Sequence, residues 1–422
     1  MTKKIIAIAF LMFSTYNFAQ RTNSSPYSFF GIGDQAKLKT VEEIAMGQMG
    51  GALDSEFQLS FTNPASYGSL LWTTYVFSGG NKTNKVDDGE NVQTSSAASL
   101  TYIALGIPIS GNQGLAAGLQ LNTAVGYSLL EQLYDDNGDL NETNLLSGNG
   151  GTSRLFVGYG YKFPFNLNLG AEVAYIFGGI TNTITNRRLD TQFGTEHKTR
   201  SDVKGLSYKF GAQYTIDIPN DMHIKLGTTF NFEYELEDIG SQYLYSIDNS
   251  GEGSTFPKDS ITRLDYEGTI TYPLQTVLSA GIGKKNKWFA GAEYTFANGV
   301  DFDSEIYNDN ANYEYVNSSS LSVGGYFTPR FNSIASYWQR VTYRAGFAYK
   351  NLGLVVNDTE IDDIGISFGV SLPLGLKISN FNLGFELGKR GTTENNLIKE
   401  NYYNFRLSIS LNDKWFGKRR IH

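Results

Sequence analysis

From about residue 70 onward, apolar and polar residues alternate with a period of two, in segments about as long as a tilted strand needs to cross a bilayer, roughly 9–11 residues. In 401–411, Tyr403, Phe405, Leu407, Ile409 and Leu411 fall on one face, against Asn404, Arg406, Ser408 and Ser410 on the other. In 206–218, Leu206, Tyr208, Phe210, Ala212, Tyr214, Ile216 and Ile218 oppose Ser207, Lys209, Gly211, Gln213, Thr215 and Asp217. The same reading over 224–236 puts Ile224, Leu226, Thr228, Phe230, Phe232, Tyr234 and Leu236 on one side. A soluble sandwich also alternates, but its strands are usually shorter and a second sheet covers them.

Fourteen such segments are expected, near 71–80, 97–109, 115–129, 153–163, 167–180, 206–218, 223–236, 269–283, 288–297, 318–328, 340–350, 363–373, 380–389 and 401–411. An even count suits a single-chain bacterial barrel. The expected fold is therefore all-β: an antiparallel up-and-down transmembrane barrel occupying 71–416. Connections alternate between short and long. The short ones are 110–114, 164–166, 219–222, 284–287 and 374–379, with one longer member at 329–339. The long ones are 81–96, 130–152, 181–205, 237–268, 298–317, 351–362 and 390–400. Short turns belong on the periplasmic side and long loops outside. Trp72, Trp288, Trp338 and Trp415 all fall at the short-turn side, where indole rings would form an interfacial girdle.

Composition agrees. With 46 Gly, 27 Tyr and 28 Phe, the 422-residue chain has the glycines and girdle aromatics a barrel uses. Its mean hydropathy of −0.27 excludes a helical membrane bundle. The formal charge of −8 falls to about −10 without the leading segment, which argues against a nucleic-acid partner. The absence of Cys excludes disulfides, thiolate metal sites and an acylated N-terminal Cys. Residues 1–19 read as a signal peptide: Lys3 and Lys4, an apolar run from Ile5 to Phe13, and Ala19 before the cleavage point. Residues 417–422 are expected as a periplasmic tail, and the mature N-terminus is expected on the periplasmic side too.

Residues 20–70 do not alternate. Thr40 and Glu43 form a capping-box pattern ahead of a short helix that Gly50 and Gly51 would end. Phe29, Phe30, Ile32, Ile44, Met46, Met49, Leu53, Phe57, Leu59 and Phe61 are too apolar for a free tail, so this segment is expected as a plug in the lumen. Inward small residues such as Gly118, Gly158, Gly160, Gly211 and Gly227 leave room for it, and Asn63-Pro64 should fix a turn before the first strand.

Ala45–Ala52 (AMGQMGGA) followed by Thr62–Ser66 (TNPAS) resembles the N-terminal hatch of FadL-type outer-membrane transporters. Asn63, Pro64 and Ala65 match the Asn-Pro-Ala element of that hatch. Ser25–Asp34 (SPYSFFGIGD), Tyr337–Gly346, Gly388–Thr392 and Asn412–Phe416 are similar to a FadL-like branch common in Bacteroidota. The resemblance implies fourteen strands, an N-terminal hatch and, for members that are transporters, passage of hydrophobic compounds. Other FadL-like barrels of that group are non-transporting parts of secretion or barrel-assembly machinery.

The expected inward faces carry Glu172, Lys209, Lys225, Glu233, Glu235, Glu293, Arg344, Lys350, Glu386, Lys389 and Arg406, charges that can pair across the lumen, hold a plug or line a polar path. Acidic outer loops at 131–142 and 301–314 have oxygen donors but no EF-hand spacing, and no metal or other cofactor is expected. His197, His223 and His422 are too scattered for a Ser–His or Asp–His pair, and no catalytic motif occurs. The expected partners are outer-membrane lipid and lipopolysaccharide. Two functions remain: a passive conduit for a hydrophobic ligand, or an accessory barrel in a larger outer-membrane complex.

Overall fold

A computed structural model describes residues 23–189, 191–248, 257–303, 313–375 and 378–415. The expected signal peptide, the tail 417–422 and Phe416 lie outside them. Fourteen strands form one closed antiparallel barrel. They are β1 (Thr73–Asp87), β2 (Val92–Ser110), β3 (Gln113–Tyr134), β4 (Leu140–Lys162), β5 (Leu167–Arg188) and β6 (Phe193–Ile218), then β7 (Met222–Asn231 and Tyr234–Asp248) and β8 (Pro257–Tyr272 and Gln275–Lys284). There follow β9 (Trp288–Ala297, then Asp301–Asp303), β10 (Tyr313–Tyr315, then Ser318–Phe327), β11 (Thr342–Val356), β12 (Thr359–Pro373), β13 (Asn380–Arg390) and β14 (Lys399–Asp413). β14 closes on β1 in unbroken register from Lys399↔Asp87 to Asp413↔Thr73, so no edge is left there.

The fourteen strands stand where the alternation placed them, but most long connections are themselves strand. β5 runs to Arg188 and β6 starts at Phe193, so 181–205 is a hairpin with a tight turn. Likewise 351–362 reduces to a turn at Asn357 and Asp358, both at positive φ (48° and 59°), the backbone of a two-residue hairpin turn. Backbone pairing continues beyond the stretches in which apolar and polar residues alternate cleanly.

β7 and β8 break at the same level. Phe232 and Glu233 leave the β7 ladder, and Pro273 and Leu274 leave that of β8. Up to Asn231 the odd-numbered residues of β7 face the lumen. Beyond the break the even-numbered ones do, with Leu236 fully buried. Tyr234 and Leu236 therefore point inward, and Glu233 and Glu235, expected in the lumen, are exposed on the outer surface. Lys389 is also exposed, because on β13 the inward residues are Glu386, Gly388 and Arg390.

The N-terminal segment is packed inside the barrel and runs its full height. Its first described residue, Asn23, is at the long-hairpin end; residues 20–22, and with them the expected periplasmic N-terminus, lie outside the described residues. Asn23 Nδ2 donates to the Ala124 carbonyl at 3.1 Å, and the Ser25 hydroxyl donates to Glu400 near the start of β14. The segment then descends. Asp34–Gln35 forms a two-residue strand against Thr123 and Ala124 of β3. Helix α1 (Val41–Ile44) follows, shorter than expected but with the complete capping box: Glu43 N–H donates to Thr40 Oγ1 (3.2 Å) and Thr40 N–H to Glu43 Oε2 (2.7 Å). Gly47 and Gln48, at φ 69° and 68°, end it. A 3₁₀ turn at Pro64–Ser69 leads into β1 at the short-turn end.

Apolar contact fixes this path. Val41, Leu59, Phe61, Tyr67 and Leu70 pack on Val76, Tyr102, Ala104, Ala116, Phe156 and Ala174. Nearer the long-hairpin end, Ile32 joins Val125, Tyr127, Ile176, Ile180, Val203, Leu236 and Ile270, with Phe29 against them. Each large side chain buried this way contributes roughly 1.5–3 kcal/mol.

Candidate functional site

The structure concentrates its buried polar chemistry where the N-terminal segment meets the wall. Asn63 is at the centre of one contact and is fully buried. Its Oδ1 accepts from the Ala65 N–H (3.0 Å), capping the 3₁₀ turn, and Pro64 holds the first turn position. Its Nδ2 faces three carbonyls: Gly51 at 2.9 Å, Ala212 on β6 at 3.1 Å and Thr228 on β7 at 3.2 Å. This approach requires glycine opposite it, since a Cβ at Gly211 or Gly170 would strike Asn63 or Pro64. Gly158, Gly160 and Gly227 likewise back onto the segment, whereas a Cβ at Gly118 would meet Ile103 and Ala104 of β2.

Beside it, Glu172 accepts from Arg154 (2.6 Å) and the Tyr67 hydroxyl (3.0 Å), and pairs with Lys209 at 3.2 Å. Lys209 also donates to the Phe61 carbonyl (3.0 Å). Each of these ions is at most 9% exposed. Glu293 Oε2 accepts from the N–H groups of Gly50 (2.9 Å) and Gly51 (2.7 Å), and its Oε1 pairs with Lys39. Glu386 pairs with Lys37 and accepts from Asn404 (3.0 Å), with Arg406 at 3.9 Å. Arg344 donates to Ser371, whose hydroxyl reaches Asn382, which in turn donates to Glu42 of the segment at 2.8 Å. Burial raises the Glu42 carboxyl above its ordinary range, although Arg344 pulls the other way.

Two further contacts pin the ends. Near the long hairpins, Asp34 pairs with Arg390 (3.0 Å) and Lys82 (3.4 Å), and Arg390 also holds Asp363 (3.0 Å). Burial alone would push the Asp34 carboxyl up, but the two cations hold it well below the usual carboxylate range. At the short-turn end, Asp54 pairs with Lys225 and accepts from Ser69 at 3.0 Å. Burial opposes ionisation of Asp54 too, yet Lys225 and Ser69 bring it down to about 2.

Of the expected lumen residues, Glu172, Lys209, Lys225, Glu293, Arg344, Glu386 and Arg406 point inward and bear on the segment or its neighbours. Glu233 does not. Sequence reasoning missed Arg154, Asp363 and Arg390, although each shares the parity of inward residues on its strand. It also missed Asp34, Lys37, Lys39, Glu42 and Asp54, which lie where no alternation reveals direction.

The segment divides the open space of the lumen. A cavity of about 740 Å³ opens at the short-turn end, between Glu42, Asp54, Lys225, Tyr326, Arg344 and the stacked pair Phe57–Phe331. A smaller one, about 290 Å³, lies toward the long hairpins and has a mixed lining, with Phe61, Tyr234, Tyr272 and Val277 beside Ser319, Ser320, Lys350 and Arg390. Trp72, Trp288, Trp338 and Trp415 are all at the short-turn end, with Tyr75 edge-on to Trp415.

His197 on β6 and His223 at the start of β7 are far apart in the pairing, and His422 lies outside the described residues. Among the described residues no group of His, Asp or Glu gathers as metal ligands. In the acidic loop 131–142, Asp135 Oδ1 accepts the N–H groups of Asn137 and Asp139, both at 2.9 Å. In 301–314, residues 304–312 lie outside the described part.

No curated protein matches the chain. Solved structures do. The CymD monoaromatic hydrocarbon channel superposes with a TM-score of 0.58 at 13% identity, covering 92% of this chain and all of that one. The Pseudomonas putida toluene transporter TodX gives 0.56 at 16% identity, over 89% of this chain and 98% of that one. A Pseudomonas aeruginosa FadL homologue gives 0.59 at 12%, over 90% and 99%. At these identities the likeness is one of fold. The profile of the BamG family, by contrast, matches residues 1–422. The chain therefore belongs to the BamG family, a barrel of FadL-like fold closed around its own N-terminal segment.

Proposed function

We propose that this protein is an accessory subunit of the outer-membrane barrel-assembly machinery, and that it works as a closed scaffold and not as a conduit. Family membership supports the association. The observation that carries the scaffold reading is the filled lumen: buried contacts fix the N-terminal segment at every level, from Ser25–Glu400 through Glu172 and Glu293 to Asp54–Lys225.

The conduit reading asks for an apolar pocket with a few polar groups. The space nearer the long hairpins carries more charge than that, with Asp34, Lys37, Lys350, Asp363 and Arg390 set among its apolar and hydroxyl groups. Glu172, Glu293 and Glu386 have their counter-ions in the wall or the segment, so ion pairing accounts for them without a ligand. In this reading the short turns and the end of β14 face the periplasm and the long hairpins face outside. Outward apolar side chains from Ile224 to Phe232 meet lipid, and Glu233, Glu235 and Glu237 lie above it. The four tryptophans mark the periplasmic interface.

The test is purification of the tagged native protein in mild detergent. The expected outcome is recovery of the central barrel-assembly subunit in near one-to-one amount. Recovery of the barrel alone, from membranes where that subunit is intact and abundant, would refute the reading.

A further inference from the structure

The barrel closes at β14–β1, but its wall is split elsewhere. β2 and β3 pair only from Ser110↔Gln113 to Tyr102↔Gln120. Beyond that level β2 continues to Val92 paired with β1 alone, and β3 continues to Tyr134 paired with β4 and, at Thr123 and Ala124, with Asp34–Gln35. Two long strand edges thus face one another across a seam.

The chain fills the lower part itself. Asp34 and Gln35 pair with Ala124 and Thr123, the Ala36 N–H donates to the Asn122 carbonyl (2.8 Å), and the Gly126 N–H donates to Ser28 Oγ (3.1 Å). From the β2 side, Ser95 Oγ donates to the Ser24 carbonyl (3.3 Å). Above this point no described residue fills the seam, and its rims are exposed, with Leu130 and Tyr134 on β3 and Val92 on β2 all more than half accessible.

Natural edge strands protect themselves with lysine, proline or inward charges. The β2 rim from Val92 to Thr101 (VQTSSAASLT) has no charge and no proline, and the β3 rim from Gly126 to Tyr134 has only Glu131. Such edges are ready to pair. The turns above them are acidic: Asp87, Asp88 and Glu90 beside Lys85 on one side, and Asp135, Asp136, Asp139 and Glu142 with no Lys or Arg on the other. Backbone N–H groups keep Asp88 and Asp135 below the usual carboxylate range, so both stay charged.

We propose that this seam receives an extended, Lys- or Arg-bearing segment of a partner envelope protein as an added strand, continuing upward the pairing that Asp34–Gln35 begins. Main-chain hydrogen bonds supply the affinity, as in other strand additions, and the acidic turns select a basic segment. The proposal rests on the subunit reading above.

The experiment places a photo-crosslinking amino acid, one position at a time, at Thr94, Ser96, Ser128 and Gln132 of the full-length protein in its own membrane, with Glu233 on the far wall as control. The expected result is one protein captured from both rims through the same short basic segment. Asp136→Lys with Asp139→Lys should lower that yield at least fivefold. Adducts with lipopolysaccharide only, adducts to an acidic or helical segment, or yields no higher than at Glu233 would overturn the seam assignment. The purification above separates the failures: a silent seam in a protein that still co-purifies with the machinery removes only this inference, and a silent seam in one that does not removes the subunit reading as well.

Discussion

Glu172 illustrates how the lumen spends its charge. A carboxylate this deeply buried is stable only because Arg154, Lys209 and Tyr67 all reach it. Glu172→Gln would leave two buried cations without an anion, at a cost of about 3–5 kcal/mol. Guanidinium unfolding in lipid vesicles, followed by tryptophan fluorescence, should register a clearly lower midpoint, and adding Lys209→Met should restore part of it. Asp54 gives a pH test. Its carboxyl drops from 3.8 to about 2 on folding, so its stabilising effect is complete above pH 4 and is lost as pH falls toward 2. A shift of this size is worth about 2 kcal/mol. The wild type should therefore lose stability between pH 4 and 2 by about that much more than Asp54→Asn. Equal slopes would refute the assignment. These partners were only half legible. Wall residues such as Arg154 follow from strand parity, whereas Asp34 and Asp54 sit in irregular chain whose side-chain directions only tertiary contact decides.

The strands were legible because lipid demands apolar side chains on every second residue. The break in β7 was not, and the reason is physical. Below it the outside is lipid and apolar residues point out. Above it the outside is water and the lumen is filled by Phe29, Ile32 and their neighbours, so apolar residues point in. The two-residue interruption at Phe232 and Glu233 turns the chain over as the environment reverses, and the sequence alternation runs straight through. β8 does the same, with Leu274, Leu278 and Ile282 outward below the break and Asp265 and Arg263 outward above it. Because the chain has no Cys, single cysteines report this cleanly. In folded protein, Glu233→Cys and Glu235→Cys should react with a bulky hydrophilic maleimide within minutes, and Leu236→Cys should stay protected. Protection at Glu233 with reaction at Leu236 would restore the unbroken strand.

At the scale of the whole molecule, the barrel and the segment inside it form one folding unit: a fourteen-strand wall with inward glycines, and a filling whose ions and carbonyls complete the wall's own hydrogen bonds. The plug was foreseeable from its apolar content, but its direction was not. Nothing in residues 20–70 states that the chain enters at the long hairpins and descends, because that order is fixed by distant pairs such as Ser25 with Glu400 and Asp34 with Arg390. The central claim is that this filling closes the barrel. Ion conductance in planar bilayers tests it most directly, comparing the wild type with a variant lacking residues 24–60 that still runs as a heat-modifiable barrel. The wild type should be silent and the deletion should give large, steady current steps. Steady wild-type steps as large as those of the deletion would contradict the account.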